Sequence, residues 1–94
     1  MKRQEYLAQR NQLLCEDLKS GMSVDEVLGV LHQAGDFTIR RSEWLGGDVE
    51  LGINFTDPKG YGAFELRFEN NQYIQAYISG FYHFEVICDF YQPS

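Results

Sequence analysis

The sequence predicts an α+β domain in which two N-terminal helices pack on one face of a four- to five-stranded antiparallel meander sheet. Three observations carry this. The apolar period changes from 3.6 to 2 near residue 36. Of the 14 aromatic residues only Tyr6 precedes that point, and β-propensity follows the aromatics. The connections between the alternating segments are short, which favours hairpins over crossovers. With 94 residues the chain has the length of one domain. Residues 1–35 form the helical pair and residues 36–94 the antiparallel sheet.

The first helix is expected over Arg3 to Leu18, where Gln, Glu, Arg, Leu and Ala dominate and Gly and Pro are absent. Leu7, Leu14 and Leu18 share a stripe with Cys15 beside it. Gln9, Gln12, Glu16 and Lys19 form the polar face, and Gly21 ends the helix. The second helix is expected over Val24 to Gln33. Ser23 is its N-cap and Glu26 stands at N3, so the two can close a capping box. Met22, before the cap, can staple onto Val27. Asp25 and Glu26 suit the positive end of the helix dipole. Val24, Val27, Leu28 and Leu31 fall at i, i+3, i+4 and i+7 and make a compact apolar face. Gly35 supplies the stop.

The strands follow. Phe37 to Trp44 is the first, and Gly46-Gly47-Asp48 turns the chain. Val49, Leu51, Ile53 and Phe55 alternate with Glu50, Gly52, Asn54 and Thr56 in the second. Asp57-Pro58-Lys59-Gly60 is a turn. Phe64, Leu66 and Phe68 alternate with Glu65, Arg67 and Glu69 in the third. Asn70-Asn71 makes a tight hairpin, because Asn tolerates positive φ. Gln72 to Ser79 is the fourth strand, Gly80 breaks it, and Tyr82 to Phe90 is the fifth.

The formal net charge is −6. Residues 1–41 hold as many acidic as basic side chains, so the whole excess lies in residues 42–94, where only Lys59 and Arg67 oppose eight carboxylates. An acidic domain is a poor nucleic-acid binder, since phosphate neutralisation needs Lys and Arg. No apolar run approaches the ~20 residues of a membrane span. The start Met1-Lys2-Arg3-Gln4-Glu5-Tyr6 lacks the apolar core of a signal peptide, so a cytoplasmic residence is expected. Cys15 and Cys88 are then reduced thiols that behave as small hydrophobes.

With Ile74, Ala76 and Ile78 turned to the helices, alternation sends Tyr73, Gln75 and Tyr77 to the open face. In the fifth strand it sends Phe84, Val86, Cys88 and Phe90 to the helices and His83, Glu85, Ile87 and Asp89 outward. The open face is therefore expected to be acidic and aromatic. Its composition resembles a protein-binding patch, while cross-strand ring pairs that only stabilise the sheet are the plainer reading. The candidate partner-binding residues are Trp44, Glu65, Tyr73, Tyr77, His83, Glu85 and Ile87.

Enzyme constellations are thin. His32 ends the second helix, where a cation suits the dipole. His83-x-Glu85 offers two metal ligands on one strand, too few for a chelate. Alternation puts His83 and Cys88 on opposite faces, against a Cys-His pair unless a bulge intervenes. No phosphate-binding glycine motif occurs. No catalytic residue, metal or cofactor is expected.

The segment Leu18-Lys19-Ser20-Gly21-Met22-Ser23-Val24-Asp25-Glu26-Val27-Leu28-Gly29-Val30-Leu31 resembles the start of the SmpA/OmlA (BamE) domain, a pattern also seen in β-lactamase inhibitor-like repeats. The resemblance implies two helices before an antiparallel sheet, and a binding role. The usual Leu-Gly-x-Pro exit of the second helix reads Leu31-His32-Gln33-Ala34-Gly35 here, and no functional residue carries over. The function expected is that of a small acidic non-enzymatic interaction protein, of inhibitor, immunity or adaptor type, which binds a protein partner through the open sheet face. A basic partner suits the charge, and a homodimer through the same patch is the other form. The alternative is a small-molecule-binding domain with a pocket between helices and sheet.

Overall fold

The computed structural model describes residues 3–57 and 61–91. Pro58, Lys59 and Gly60 of the expected turn lie outside the described residues, as do Met1 and Lys2. Helix α1 (Arg3–Gln12) runs into a π-helical turn (Leu13–Asp17), and α2 spans Val24–Ala34. Five strands follow: β1 (Asp36–Glu43), β2 (Val49–Asp57), β3 (Ala63–Glu69), β4 (Gln72–Ser79) and β5 (Phe84–Asp89). They pair antiparallel in the order β1-β2-β3-β4-β5, the expected meander. Among the described residues no helix is long and apolar enough to cross a membrane.

The first helix changes its winding where a continuous α-helix is expected. Leu18 N–H donates to the Leu13 carbonyl at 2.9 Å, a step of five residues. The wider turn puts Leu13, Leu14 and Leu18 together in the core. Leu7, expected on that stripe, is exposed, and Leu13 enters instead. The α2 signals are realised: Glu26 N–H donates to Ser23 Oγ at 3.2 Å and Ser23 N–H to Glu26 Oε1 at 3.1 Å. Gly35 caps the helix in extended backbone and leads straight into β1. Val24, Val27 and Leu31 are buried as the spacing requires. The His32 ring stacks on Phe37, with centroids 4.7 Å apart.

Val49, Leu51, Ile53 and Phe55 pair with or neighbour Phe64, Leu66 and Phe68 on the helix side, all buried. The Asn70-Asn71 hairpin has φ of 52° and 59°, the left-handed geometry that a tight turn requires. Beyond it the strands depart from simple alternation. Arg67 pairs Gln75 but Phe68 pairs Tyr73, so Ile74 is an extra residue in β4. Ala76 pairs Cys88 but Tyr77 pairs Val86, so Ile87 is an extra residue in β5. Each bulge reverses the facing of the residues on its far side.

The two cysteines are not separate thiols. Cys15 in the π turn and Cys88 in β5 form a disulfide across 73 residues, with Cα atoms 5.6 Å apart. The bond ties the helix layer to the last strand. A second tie is made by main chain: Gly21 N–H donates to the Tyr73 carbonyl (3.0 Å) and Tyr73 N–H to the Met22 carbonyl (2.8 Å). The link between the helices thus borders β4 where β5 has ended. A third comes from the turn after β3, where Asn71 Oδ1 accepts from Val24 N–H at 3.1 Å.

A candidate interaction face on the open side of the sheet

The register assigns every strand residue to a face, and it divides the seven expected site residues. Glu65 pairs Tyr77 on the open face, opposite the buried ladder of Leu66 and Ala76. Trp44, just past β1, is 60% exposed beside that face. Glu65 and Tyr77 stand where alternation puts them, and Trp44 stands beside them.

Four do not. Tyr73 is completely buried on the helix side. Its hydroxyl donates to the Leu14 carbonyl at 2.8 Å, and burial pushes its phenol well above the ordinary range. Ile87 is the bulged residue of β5 and packs half-buried against the core. Glu85 pairs Ile78 on the helix side. There it faces Arg10 of α1, whose buried guanidinium has its pKa lowered by burial, with Glu85 opposing the shift. His83 lies in the turn before β5, and its Nε2 is 3.4 Å from Glu85 Oε2, exposed and away from the open face. The bulge also removes the parity objection to His83 with Cys88, but the Cys88 sulfur is held in the disulfide.

Their places on the open face are taken by residues that alternation sends inward. Phe84 (63% exposed) and Val86 stand there with Tyr77. The Tyr77 and Phe84 rings are 5.2 Å apart. Together with Trp44 and Leu45 from the β1–β2 turn they wall an open groove of about 450 Å³, whose floor includes Glu50, Arg67 and Gln75. The sequence carries a signal for this reversal. Tyr73-Ile74 and Val86-Ile87 are adjacent apolar pairs inside strands. The bulges turn Tyr73 and Ile87 to the core and leave Ile74 half-buried and Val86 exposed.

The charge of the face is less one-sided than composition implies. Arg67 lies 3.0 Å from Glu69 and 3.5 Å from Asp48. Arg40 reaches across from β1 to Glu65 at 3.7 Å. Gly52 sits beneath that pair: a Cβ there would lie 3.1 Å from Glu65 Oε2. Partial burial raises the Glu65 pKa, Arg40 lowers it and Glu50 raises it, with burial the largest effect. Glu50 and Asp89 flank the row formed by Arg67 and Gln75.

Leu14, Leu18, Val27 and Leu31 meet Leu51, Leu66, Phe68 and Tyr73, all shut off from solvent. Comparison with family models finds no match for this chain, and neither does comparison with characterised proteins or with solved structures.

Proposed function

We propose that this chain is a small acidic, non-enzymatic interaction protein that holds a protein partner in the groove on the open face of its sheet. The observation that carries the reading is the grouping of exposed Trp44, Leu45 and Phe84 and half-buried Tyr77 around a floor of charged and amide side chains, with exposed Val86 paired to Tyr77. Exposed rings flanked by paired charges are the composition of an interface centre with a polar rim. Glu50 and Asp89 favour a basic contact surface on the partner, and the excess of acid in the sheet half would speed its approach.

The small-molecule reading receives no comparable support. It needs a pocket between helices and sheet, where Leu14, Leu18, Val27 and Leu31 and the facing Leu51, Leu66, Phe68 and Tyr73 are shut off from solvent. Residence is tied to the disulfide. A Cys15–Cys88 bond persists in an oxidising compartment and is reduced in a cytosol, so the reading no longer rests on a cytoplasmic address.

Capture from a lysate of the source organism tests the groove. The same partner should be retained by the wild type and by Leu7→Ala on the exposed flank of α1. It should be lost by Tyr77→Ala with Phe84→Ala, and weakened by added salt. Equal retention by the double variant, with its fold intact, excludes the groove.

A further inference from the structure

The free edge of β1 is the one long regular strand edge that the fold leaves open among the described residues. It pairs β2 without interruption from Phe37 to Glu43, and its only irregularity is at Asp36. The other edge strand, β5, is shorter and carries the bulge at Ile87, a feature that blunts an edge. The helix layer covers Phe37 at the start of β1, where His32 stacks on it, and stops short of Ile39. Ile39 pairs the buried Ile53 on the helix side, yet it is 48% exposed.

We infer that β1 pairs with β1 of a second copy, antiparallel about a two-fold axis at Ile39, and joins two sheets into one. The backbone has the required groups. Trp44 N–H bonds to the Asp48 carbonyl. Continued along the ladder, this turns Ser42, Arg40 and Thr38 toward β2 and leaves the N–H and C=O of Phe37, Ile39 and Arg41 pointing outward.

The side chains narrow the register. Centring on Arg40 or Arg41 sets an arginine directly against its own copy, which is unfavourable. Centring on Ile39 buries the two exposed isoleucines against each other. It also sets Arg41 opposite Phe37 of the second copy and Arg40 opposite Thr38. Charged side chains usually protect an edge, but here both arginines are neutralised within the protomer, Arg40 by Glu65 at 3.7 Å and Arg41 by Glu43 at 3.0 Å. The pairing closes on itself, because each copy spends its single regular edge. Both helix layers then lie on one side of the joined sheet and both grooves on the other.

Sedimentation of the full chain over a dilution series tests this. The mass should rise from 10.9 kDa toward twice that value with concentration, and Ile39→Lys should remain monomeric with unchanged thermal stability. Amide exchange of the wild type is the second readout and needs no variant. The Ile39 and Arg41 amides should slow several-fold at high concentration, while those of Arg40 and Ser42, already bonded to β2, should not change. A monomer at every concentration overturns the inference. So does a dimer that survives Ile39→Lys, or one that leaves the Ile39 amide in fast exchange.

Discussion

The Tyr73 hydroxyl donates a 2.8 Å hydrogen bond to the carbonyl of Leu14, a residue 59 positions earlier. Both ends of the contact follow from irregular backbone. In the π turn Leu18 N–H goes to Leu13, and Lys19 N–H goes to the Met22 sulfur. The Leu14 carbonyl is thereby left for a side chain. In β4 the bulge at Ile74 turns Tyr73 inward to meet it. Tyr73→Phe keeps the ring and removes the donor, leaving a buried acceptor unmatched. Chemical denaturation should show a loss of about 1–3 kcal/mol. Tyr73→Ala, which adds a cavity, should lose about 3–5 kcal/mol. A Tyr73→Phe protein as stable as the wild type would mean that the hydroxyl contributes nothing net.

The Cys15–Cys88 bond closes a loop of 73 residues around nearly the whole domain. A cross-link of that span restricts the unfolded chain by about 4 kcal/mol in the chain-entropy account. Thermal denaturation with and without a dithiol reductant should show a clear fall in midpoint on reduction. Thiol titration of the unfolded, unreduced protein should find no free sulfhydryl. Free thiols in protein prepared without reductant would show that the bond is not formed, and an unchanged midpoint that it contributes nothing net.

The contrast between these two contacts and the rest shows what the sequence exposes. The capping box at Ser23 and Glu26 is legible because its chemistry is complete within four residues. The alternation of β2 and β3 is legible because both run without a break. Strict alternation puts Tyr73 on the wrong face because it has no place for Ile74, and one extra residue reverses everything beyond it. Glu85, Phe84 and Val86 changed faces for the same reason at Ile87. The π turn hides similarly, since Leu13-Leu14 reads as one core residue and one flanking residue at a period of 3.6. The disulfide depends on three-dimensional closeness, which two cysteines far apart in sequence do not reveal. Glu65 stands where alternation puts it because β3 runs unbroken, and Tyr77 does so because it lies on the same side of the Ile74 bulge as Ala76 and Ile78.

Asn71 serves two purposes that two substitutions can separate. It holds φ at 59° and accepts from Val24 N–H, tying the β3–β4 hairpin to the start of α2. Asn71→Gly keeps the left-handed backbone and loses only the acceptor, so urea denaturation should show a loss of about 0.5–1.5 kcal/mol. Asn71→Ala loses the acceptor and also forces an ordinary residue into that conformation, for about 1–2 kcal/mol more. Equal losses for the two variants would mean that the backbone conformation carries no penalty. A neutral glycine variant would dismiss the tie to α2.

Glu65 gives the open face a pH dependence of defined sign. Burial, the largest influence, raises its pKa in the folded protein above the ordinary 4.5. A raised folded pKa means that the native state holds the proton more tightly than the unfolded chain. The stabilisation is therefore complete at acid pH and is lost as pH climbs from about that ordinary value through the folded one. Glu65→Gln cannot ionise, so its stability relative to the wild type should rise across that interval and level off above it. The group is partly exposed and paired with Arg40, so the difference should be small. Arg40→Gln removes the one influence that lowers the pKa, and should move the interval upward and deepen the wild-type deficit. Denaturation midpoints of the three proteins from acid to neutral pH provide the comparison. If the wild type instead gains on Glu65→Gln as pH rises, the Arg40 pairing outweighs burial, and the Arg40–Glu65 contact over Gly52 is a stabilising ion pair.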